Sequence, residues 1–416
     1  MGGNLHHIYF VAENANPQRL LRDQVNRILS HKHITLHLHS QVVHHTGSVG
    51  DFRARIRTDN GDGTFQETEI RHAAVIVATG GHEANADRYL LGKDPSVLRM
   101  SELEEILAHE PERVTRLKSV VLIQCVQPEG EEEYCSRICC TNTIKNASRL
   151  KMLNPECQVI ILYKNIITYG FREKYYLDVR KRGVLFVRYT DASPPRVRLE
   201  KSSAGTKPVV EVDEHIFGKT LVFEPDMIAL SMSIQPSSGT GDLAKVLGVP
   251  RSSEGFFLES HLKMRPMEFY DDGIFLAGMA HYPKFIEETI THAMACVGRA
   301  LTILSRPSIQ LGGVVAEIDP QRCTGCLTCV RTCPFGIPEM RYDQCGVGQL
   351  GGAAWIDPAR CQGCGTCTGE CPARAIQLIQ YRDEQINTGL GQWASNLPVE
   401  NETKSQSLKL EEHGKM

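Results

Sequence analysis

No run of eighteen or more apolar residues occurs in the 416-residue sequence, so nothing in it reads as a membrane-spanning helix. The N-terminus, MGGNLHHIYF, has no basic stretch followed by an apolar one, and predicts no secretory signal. The net charge is only −3, which excludes a nucleic-acid partner recruited through bulk charge. Apolar periodicity is also missing from Tyr381 to Met416, and a mobile polar tail is expected over 382–416. Against these absences stand a 41% hydrophobic content, enough for a sizeable core, and a length suited to roughly two to three domains. Fifteen cysteines without a secretory signal read as metal ligands in a reducing cytoplasm.

Eight of them fall in one pattern written twice. Cys323-x-x-Cys326-x-x-Cys329-x-x-x-Cys333-Pro334 is followed by Cys361-x-x-Cys364-x-x-Cys367-x-x-x-Cys371-Pro372, the spacing of two-cluster bacterial ferredoxins. Three close thiolates wrap one face of a [4Fe-4S] cubane, and the fourth of each run crosses to the other cluster. Cys323, Cys326, Cys329 and Cys371 are therefore assigned to one cluster, and Cys361, Cys364, Cys367 and Cys333 to the other. Gly325, Gly363 and Gly365 allow the tight turns. Zinc would use only four of these thiolates, and a disulfide framework belongs to oxidising compartments. An α+β ferredoxin domain is expected over 306–381.

Before it, the pattern is α/β. A helix is expected over Pro17–Ser30, a half-buried strand over Ile34–His39, and a hairpin from Phe52–Thr58 to Phe65–Ile70 around Asn60-Gly61-Asp62-Gly63. His31, His33, His37, His39, His44 and His45 could suggest a metal site, but read better as the wet face of strands and a loop. The run Ala73 to Gly81 ends in Thr79-Gly80-Gly81, as a buried parallel strand does where backbone approaches a ligand. Flavoproteins with two dinucleotide domains carry such a strand end.

Val120–Cys125 is the next buried strand. A Gly-x-Gly-x-x-Gly loop should follow it if this half held NAD(P)H, and none does. Cys125, Cys135, Cys139 and Cys140 come instead, ahead of a helix over Thr141–Leu153. Such cysteines can simply pack, as Cys157 and Cys296 are expected to. Four at a strand end and a helix start point to a third [4Fe-4S] cluster, helped by helix N-terminal amides. Strands are expected over 158–163, 184–189, 209–212 and 227–233, with a short helix over Phe171–Lys181. The strand Gly273 to Ala280 ends in Gly278-Met279-Ala280, and Pro283 suits the first turn of a helix running to about Ile303. There Gly278, Ala280 and Lys284 would meet a flavin, Lys284 being the catalytic candidate whose charge favours the reduced ring. Its alternative is a surface lysine near a helix cap.

Together VIVATGGHE, VVLIQCVQPEGEEEYCSRICCTNTIKNA, VIILYKNIITYG, KYYLDVRKRGVLFVRY, GIFLAGMAHYPKFIEETITHA and the ferredoxin motifs resemble the A-type subunit of heterodisulfide reductase, from about Gly2 to Gln380. The resemblance implies an α/β core of the two-dinucleotide-binding-domain, thioredoxin-reductase-like flavoprotein class, with a C-terminal ferredoxin domain. It implies FAD, several [4Fe-4S] clusters and a cytoplasmic place in a multi-subunit complex. Expected partners are other heterodisulfide reductase-type subunits, a hydrogenase or formate dehydrogenase electron-input subunit, and ferredoxin. FAD would split an electron pair, one electron going to ferredoxin and one towards the disulfide site, in chemistry linked to methanogenesis. Cys125, Cys135, Cys139 and Cys140 match the family's extra cluster motif, and Lys284 its Pro-Lys after the Gly-x-Ala strand.

Two departures are visible. The family begins with a strand and a glycine loop for the FAD pyrophosphate, whereas Gly2 and Gly3 match the Gly-Gly after its first β-α-β unit, as in a split or truncated version. An inserted ferredoxin domain of some members is missing, which is closer to shorter members serving quinone-interacting complexes. The expected division is thus 1–117 with 245–305 as a partial FAD-binding domain, and 118–244 as a second dinucleotide-like domain carrying the cysteines. The alternative to a flavin-linked subunit is a flavin-free iron–sulfur relay or scaffold. A pyridine-nucleotide reductase is disfavoured by the missing second glycine loop.

Overall fold

The computed structural model describes residues 1–13, 15–130, 134–202, 205–216, 218–308 and 313–395. It divides into two compact units, 1–309 and 310–416. No helix among the described residues is long and apolar enough to cross a membrane.

The first unit opens with helix α1 (Pro17–Ser30), over the range expected. The Asn16 side chain accepts from the Arg19 N–H and Pro17 occupies the first turn, so the start is capped chemically as well as by hydrophobic pattern. The strand expected over Ile34–His39 does not form. Ile34, Leu36 and Leu38 are all exposed, and alternation without a partner strand or a face to cover has nothing to stabilise it. Pairing starts at β1 (Ser40–Ser48), antiparallel to β2 (Asp51–Asp59), which pairs with β3 (Phe65–His72) in the expected hairpin. The apolar run then yields β4 (Val75–Val77) and, past its glycines, β5 (Gly81–Glu83).

From there the chain builds β6 (Val97–Arg99), α2 (Met100–His109), α3 (Pro111–Val114), β7 (Ser119–Val126), α4 (Cys139–Leu153), β8 (Gln158–Tyr163), α5 (Glu173–Lys181) and β9 (Leu185–Arg188). Three antiparallel strands follow, β10 (Arg196–Ser202), β11 (Gly205–Glu214) and β12 (Lys219–Phe223), before β13 (Met227–Met232) rejoins the sheet. The result is a five-stranded sheet of order β6-β13-β7-β8-β9, parallel in every ladder. A parallel sheet must be covered on both faces, which is why β7 and β8 read as unbroken apolar runs. Leu103, Leu107, Ile144 and Leu150 cover one face. Val210 and Val212 of β11 cover the other. Because β6 pairs with β13, and α2 packs on the same core, residues 97–116 belong with this sheet. The expected boundary at 117/118 therefore cuts through one packed layer.

The return passes through β14 (Ile234–Pro236), antiparallel to β5, then α6 (Thr240–Leu247), β15 (Ile274–Leu276) and α7 (Ile286–Leu304). β15 lies parallel to β4, and α7 packs Cys296 and Ala300 against Phe275. Pro283 stays outside α7, contrary to expectation. Glu288 accepts from the Phe285 N–H and caps the helix there instead.

In the second unit β16 (Ala316–Ile318), α8 (Thr328–Thr332), β17 (Glu339–Cys345), β18 (Gly351–Trp355), α9 (Thr366–Glu370) and β19 (Ile376–Leu378) follow in order. β16 pairs with β19 and β17 with β18, both antiparallel, round a core that includes Cys323, Cys329 and Cys367. Within the expected polar tail, residues 383–395 form an exposed helix, α10 (Asp383–Ser395). The tail from 396 to 416 lies outside the described residues.

Candidate functional site

The two cysteine motifs of the second unit fold alike. Each short helix, α8 or α9, starts from a left-handed residue, Leu327 at φ 62° and Gly365 at φ 78°. Burial pushes the Cys329 thiol up, and the neighbouring charges on Cys323, Cys326 and Cys371 push the same way. Cys367 is pushed up to about 11 by burial, then by Cys361, Cys333, Cys364 and Cys329. Each thiol thus feels the cysteines that the spacing groups with it, and Cys367 also feels Cys329 of the other motif. Cys323, Cys326, Cys329 and Cys371 also line a common cavity. Backbone amides donate to sulfur, Ala354 to Cys323 at 3.4 Å, Ala316 to Cys361 at 3.3 Å and Ala375 to Cys371 at 3.3 Å. Such amides stabilise thiolate charge and tune a cluster's potential. The donor set is all thiolate, in fours, spread round a volume. Among the described residues no three His, Cys, Asp or Glu lie close enough together to hold a single metal ion.

The first unit gathers four more cysteines. Cys125 ends β7 at φ 57°, where the β7–β13 register slips between Leu230 and Met232. Cys139 and Cys140 open α4, and Cys135 stands exposed on the loop before it. The Cys140 thiol approaches Gln124 Oε1 and the Asn165 carbonyl, each at 3.5 Å, and Cys139 approaches the Met232 carbonyl at 3.7 Å. Burial raises Cys125, takes Cys140 to about 12 and raises Cys139 furthest, with Cys140, Cys125 and Cys135 all contributing to the last. The four sulfurs thus sit within electrostatic reach of one another, and burial keeps Cys125, Cys139 and Cys140 as thiols unless a cation compensates their charge. The described residues of the loop are tied down at several points. Gln127 donates to the Tyr134 carbonyl (2.6 Å), Tyr282 Oη to the Cys135 carbonyl (2.9 Å) and Ile234 N–H to Ser136 Oγ (2.9 Å). Arg137, at φ 53°, donates to the Pro283 carbonyl (3.0 Å) and pairs with Glu288 at 2.9 Å.

Beside this loop lies a cavity of about 600 Å³, lined in part by Asn4, Lys145, Cys139, Met279 and Lys284. Lys284 Nζ donates to His281 Nδ1 (3.1 Å) and to the Tyr282 carbonyl (3.4 Å). Burial and then Arg137 push its pKa down to about 8. The other side of His281 meets Glu259, Nε2 to Oε2 at 2.8 Å.

Of the expected flavin contacts, only Lys284 lines this cavity. Gly2 and Gly81 have packing reasons of their own. A Cβ on Gly81 would come within 2.8 Å of the Gln235 carbonyl across the β5–β14 ladder, and one on Gly2 within 2.4 Å of Leu21. Gly278 donates its N–H to His292 Nδ1 at 2.9 Å, and the turn continues through Ala280 onto α7. The Thr79 carbonyl accepts from Ser237 Oγ at 2.6 Å, next to Gly80 at φ 75°. Gly3 starts the turn carrying Asn4, whose Nδ2 reaches the Gly81 carbonyl at 2.8 Å. Sequence reasoning missed Glu259, His281, Arg137 and Glu288. His281, three residues before Lys284, carried a readable signal; Glu259 carried none.

Family models described as 4Fe-4S binding domain match residues 315–345 and 354–377. The chain is 34% identical over 338 residues to the A-type subunit of the H(2)/formate:CoB-CoM heterodisulfide,ferredoxin reductase of Methanococcus maripaludis, covering 77% of this chain and 50% of that protein. It is 30% identical over 288 residues to the A-type subunit of the H(2):CoB-CoM heterodisulfide,ferredoxin reductase of Methanothermobacter thermautotrophicus, covering 65% and 43%. The chain thus spans half or less of the length of these relatives. Among solved structures, T. acidophilum thioredoxin reductase aligns with a TM-score of 0.46 at 15% identity, over 73% of this chain and 86% of that one.

Proposed function

We propose, from the premise that this chain belongs to the heterodisulfide reductase A-type family, that it is an electron-relay component of a heterodisulfide reductase-type oxidoreductase. The observation that carries this reading is the pair of four-cysteine motifs in the second unit, within residues matched as 4Fe-4S binding domains. Cys323, Cys326, Cys329 and Cys371 would hold one [4Fe-4S] cluster, and Cys361, Cys364, Cys367 and Cys333 the second. Cys125, Cys135, Cys139 and Cys140 would hold a third.

The residues round the large cavity suit FAD in part. Lys284 supplies a cation there, as the reduced ring needs, and Met279 and Asn4 wall it. When bound, FAD would supply the exchange between paired and single electrons, which the clusters then carry singly. Splitting of an electron pair, and transfer to partner subunits and ferredoxin, extend the reading. The relatives' names support it, since they join hydrogen or formate, ferredoxin and the heterodisulfide. The electron-input partner would be a hydrogenase or formate dehydrogenase subunit.

A second reading, a flavin-free iron–sulfur relay of a related quinone-interacting complex, is favoured by the glycines. The Gly278 amide is committed to His292, and Gly2 and Gly81 are explained by packing. Acid release of flavin from anaerobically purified protein separates the two. Stoichiometric FAD supports the first, and iron–sulfur absorption without flavin supports the second.

A further inference from the structure

Glu259, His281 and Lys284 form a hydrogen-bonded row that ends at the cavity wall. The Glu259 side chain is 8% exposed and that of His281 17%. An ammonium can only donate, so His281 Nδ1 accepts from Lys284 at 3.1 Å, and Nε2 carries the proton donated to Glu259 at 2.8 Å. One imidazole tautomer satisfies both contacts. Burial and the adjacent lysine hold His281 below its ordinary value, in keeping with a neutral ring. His292 stacks on it, ring centroids 5.4 Å apart and 17° between planes. The charges facing Lys284 come from three directions. Arg137 on the cysteine loop disfavours the ammonium, while Glu288 on α7 and Glu259 behind His281 favour it. The opposing effects leave its pKa at about 8, where an amine both gives and takes a proton near neutral pH.

We propose that Glu259 and His281 are positioning residues that aim Lys284 into the cavity and hold it as the proton-exchanging group there. This rests on the flavin reading only for the identity of the acceptor, an electron-accepting heterocycle reduced through the iron–sulfur chain. As that acceptor takes up electrons, a Lys284 N–H bond breaks and the proton bonds to the acceptor. The N–H electron pair stays on Nζ, and the neutral amine is reprotonated from water. Glu259 and His281 keep the lone pair directed and do not themselves transfer the proton.

The test is the pH dependence of Lys284 acetylation by trace acetic anhydride, followed by peptide mass spectrometry, on the anaerobically purified full chain. The expected midpoint is near 8, and Glu259→Gln should move it to lower pH because a favourable negative charge is lost. His281→Leu, which removes the acceptor at this position, should move it the same way with iron content unchanged. An ordinary lysine midpoint above about 10 overturns the proposal, as does a midpoint that neither variant moves. If Glu259→Gln fails to fold, Glu259→Asp together with His281→Leu keeps the question open to measurement. Flavin released by acid from the same preparation is scored separately. A shifted lysine without flavin upholds the row and sinks the flavin reading, and bound flavin with an ordinary lysine does the reverse.

Discussion

Glu104 and Lys145 show what a single pair of side chains contributes to this fold. They meet at 2.7 Å with side chains 6% and 7% exposed, and Glu104 also accepts the Tyr9 N–H at 2.9 Å. Burial pulls the Lys145 pKa down, so the ammonium depends on its partner. Lys145→Met should therefore cost about 3–5 kcal/mol by stranding a buried carboxylate. The urea midpoint checks this, and adding Glu104→Gln should cost less than the two changes summed. His292 supplies a pH dependence. Burial, then Lys284 and His281, push its ring from 6.5 down to about 4. Below pH 6.5 the unfolded chain takes a proton that the folded ring refuses until about pH 4. Stability is thus full above that window and falls as pH drops through it. His292→Gln should flatten this slope in urea midpoints measured from about pH 7 to 4; parallel curves would count against it.

At the scale of elements, the ferredoxin halves are two copies of a turn, a short helix and a strand, which the proposed cluster ligands would cross between. If each half keeps its own fourth cysteine, Cys371→Ser should disturb the cluster of Cys361, Cys364 and Cys367. The crossed groups predict the opposite. Cys371→Ser and Cys323→Ser should remove the same reduced-state EPR signal, and Cys333→Ser the other, each with a loss of about four irons. Elsewhere one loop joins two elements. Arg137 and Cys135 reach from the start of α4 to Pro283, Tyr282 and Glu288 at the start of α7, so the cysteine loop and the lysine turn are tied to each other.

For the whole molecule the decisive quantity is iron. Three clusters predict about 12 irons and as many acid-labile sulfides per chain, against about 8 for the ferredoxin pair alone. Cys139→Ser should lower the first count to the second and leave the second unit's spectrum intact. A wild-type value near the lower count would remove the third cluster from the reading.

The sequence by itself determined the ligand chemistry, the helix over Pro17–Ser30 and the buried strands β7 and β8. In each case the information is local: thiolates spaced within one loop, a capping asparagine before a proline, or an apolar run long enough to be covered on both faces. Only the tertiary structure decided that Ile34–His39 would find no strand partner, that β6 would join the five-stranded sheet, and that Gly2 and Gly81 answer to packing. It alone brought Glu259 to His281 and Arg137 to Glu288, pairs 22 and 151 residues apart. Such contacts depend on which surfaces meet after collapse, and spacing along the chain carries no trace of that.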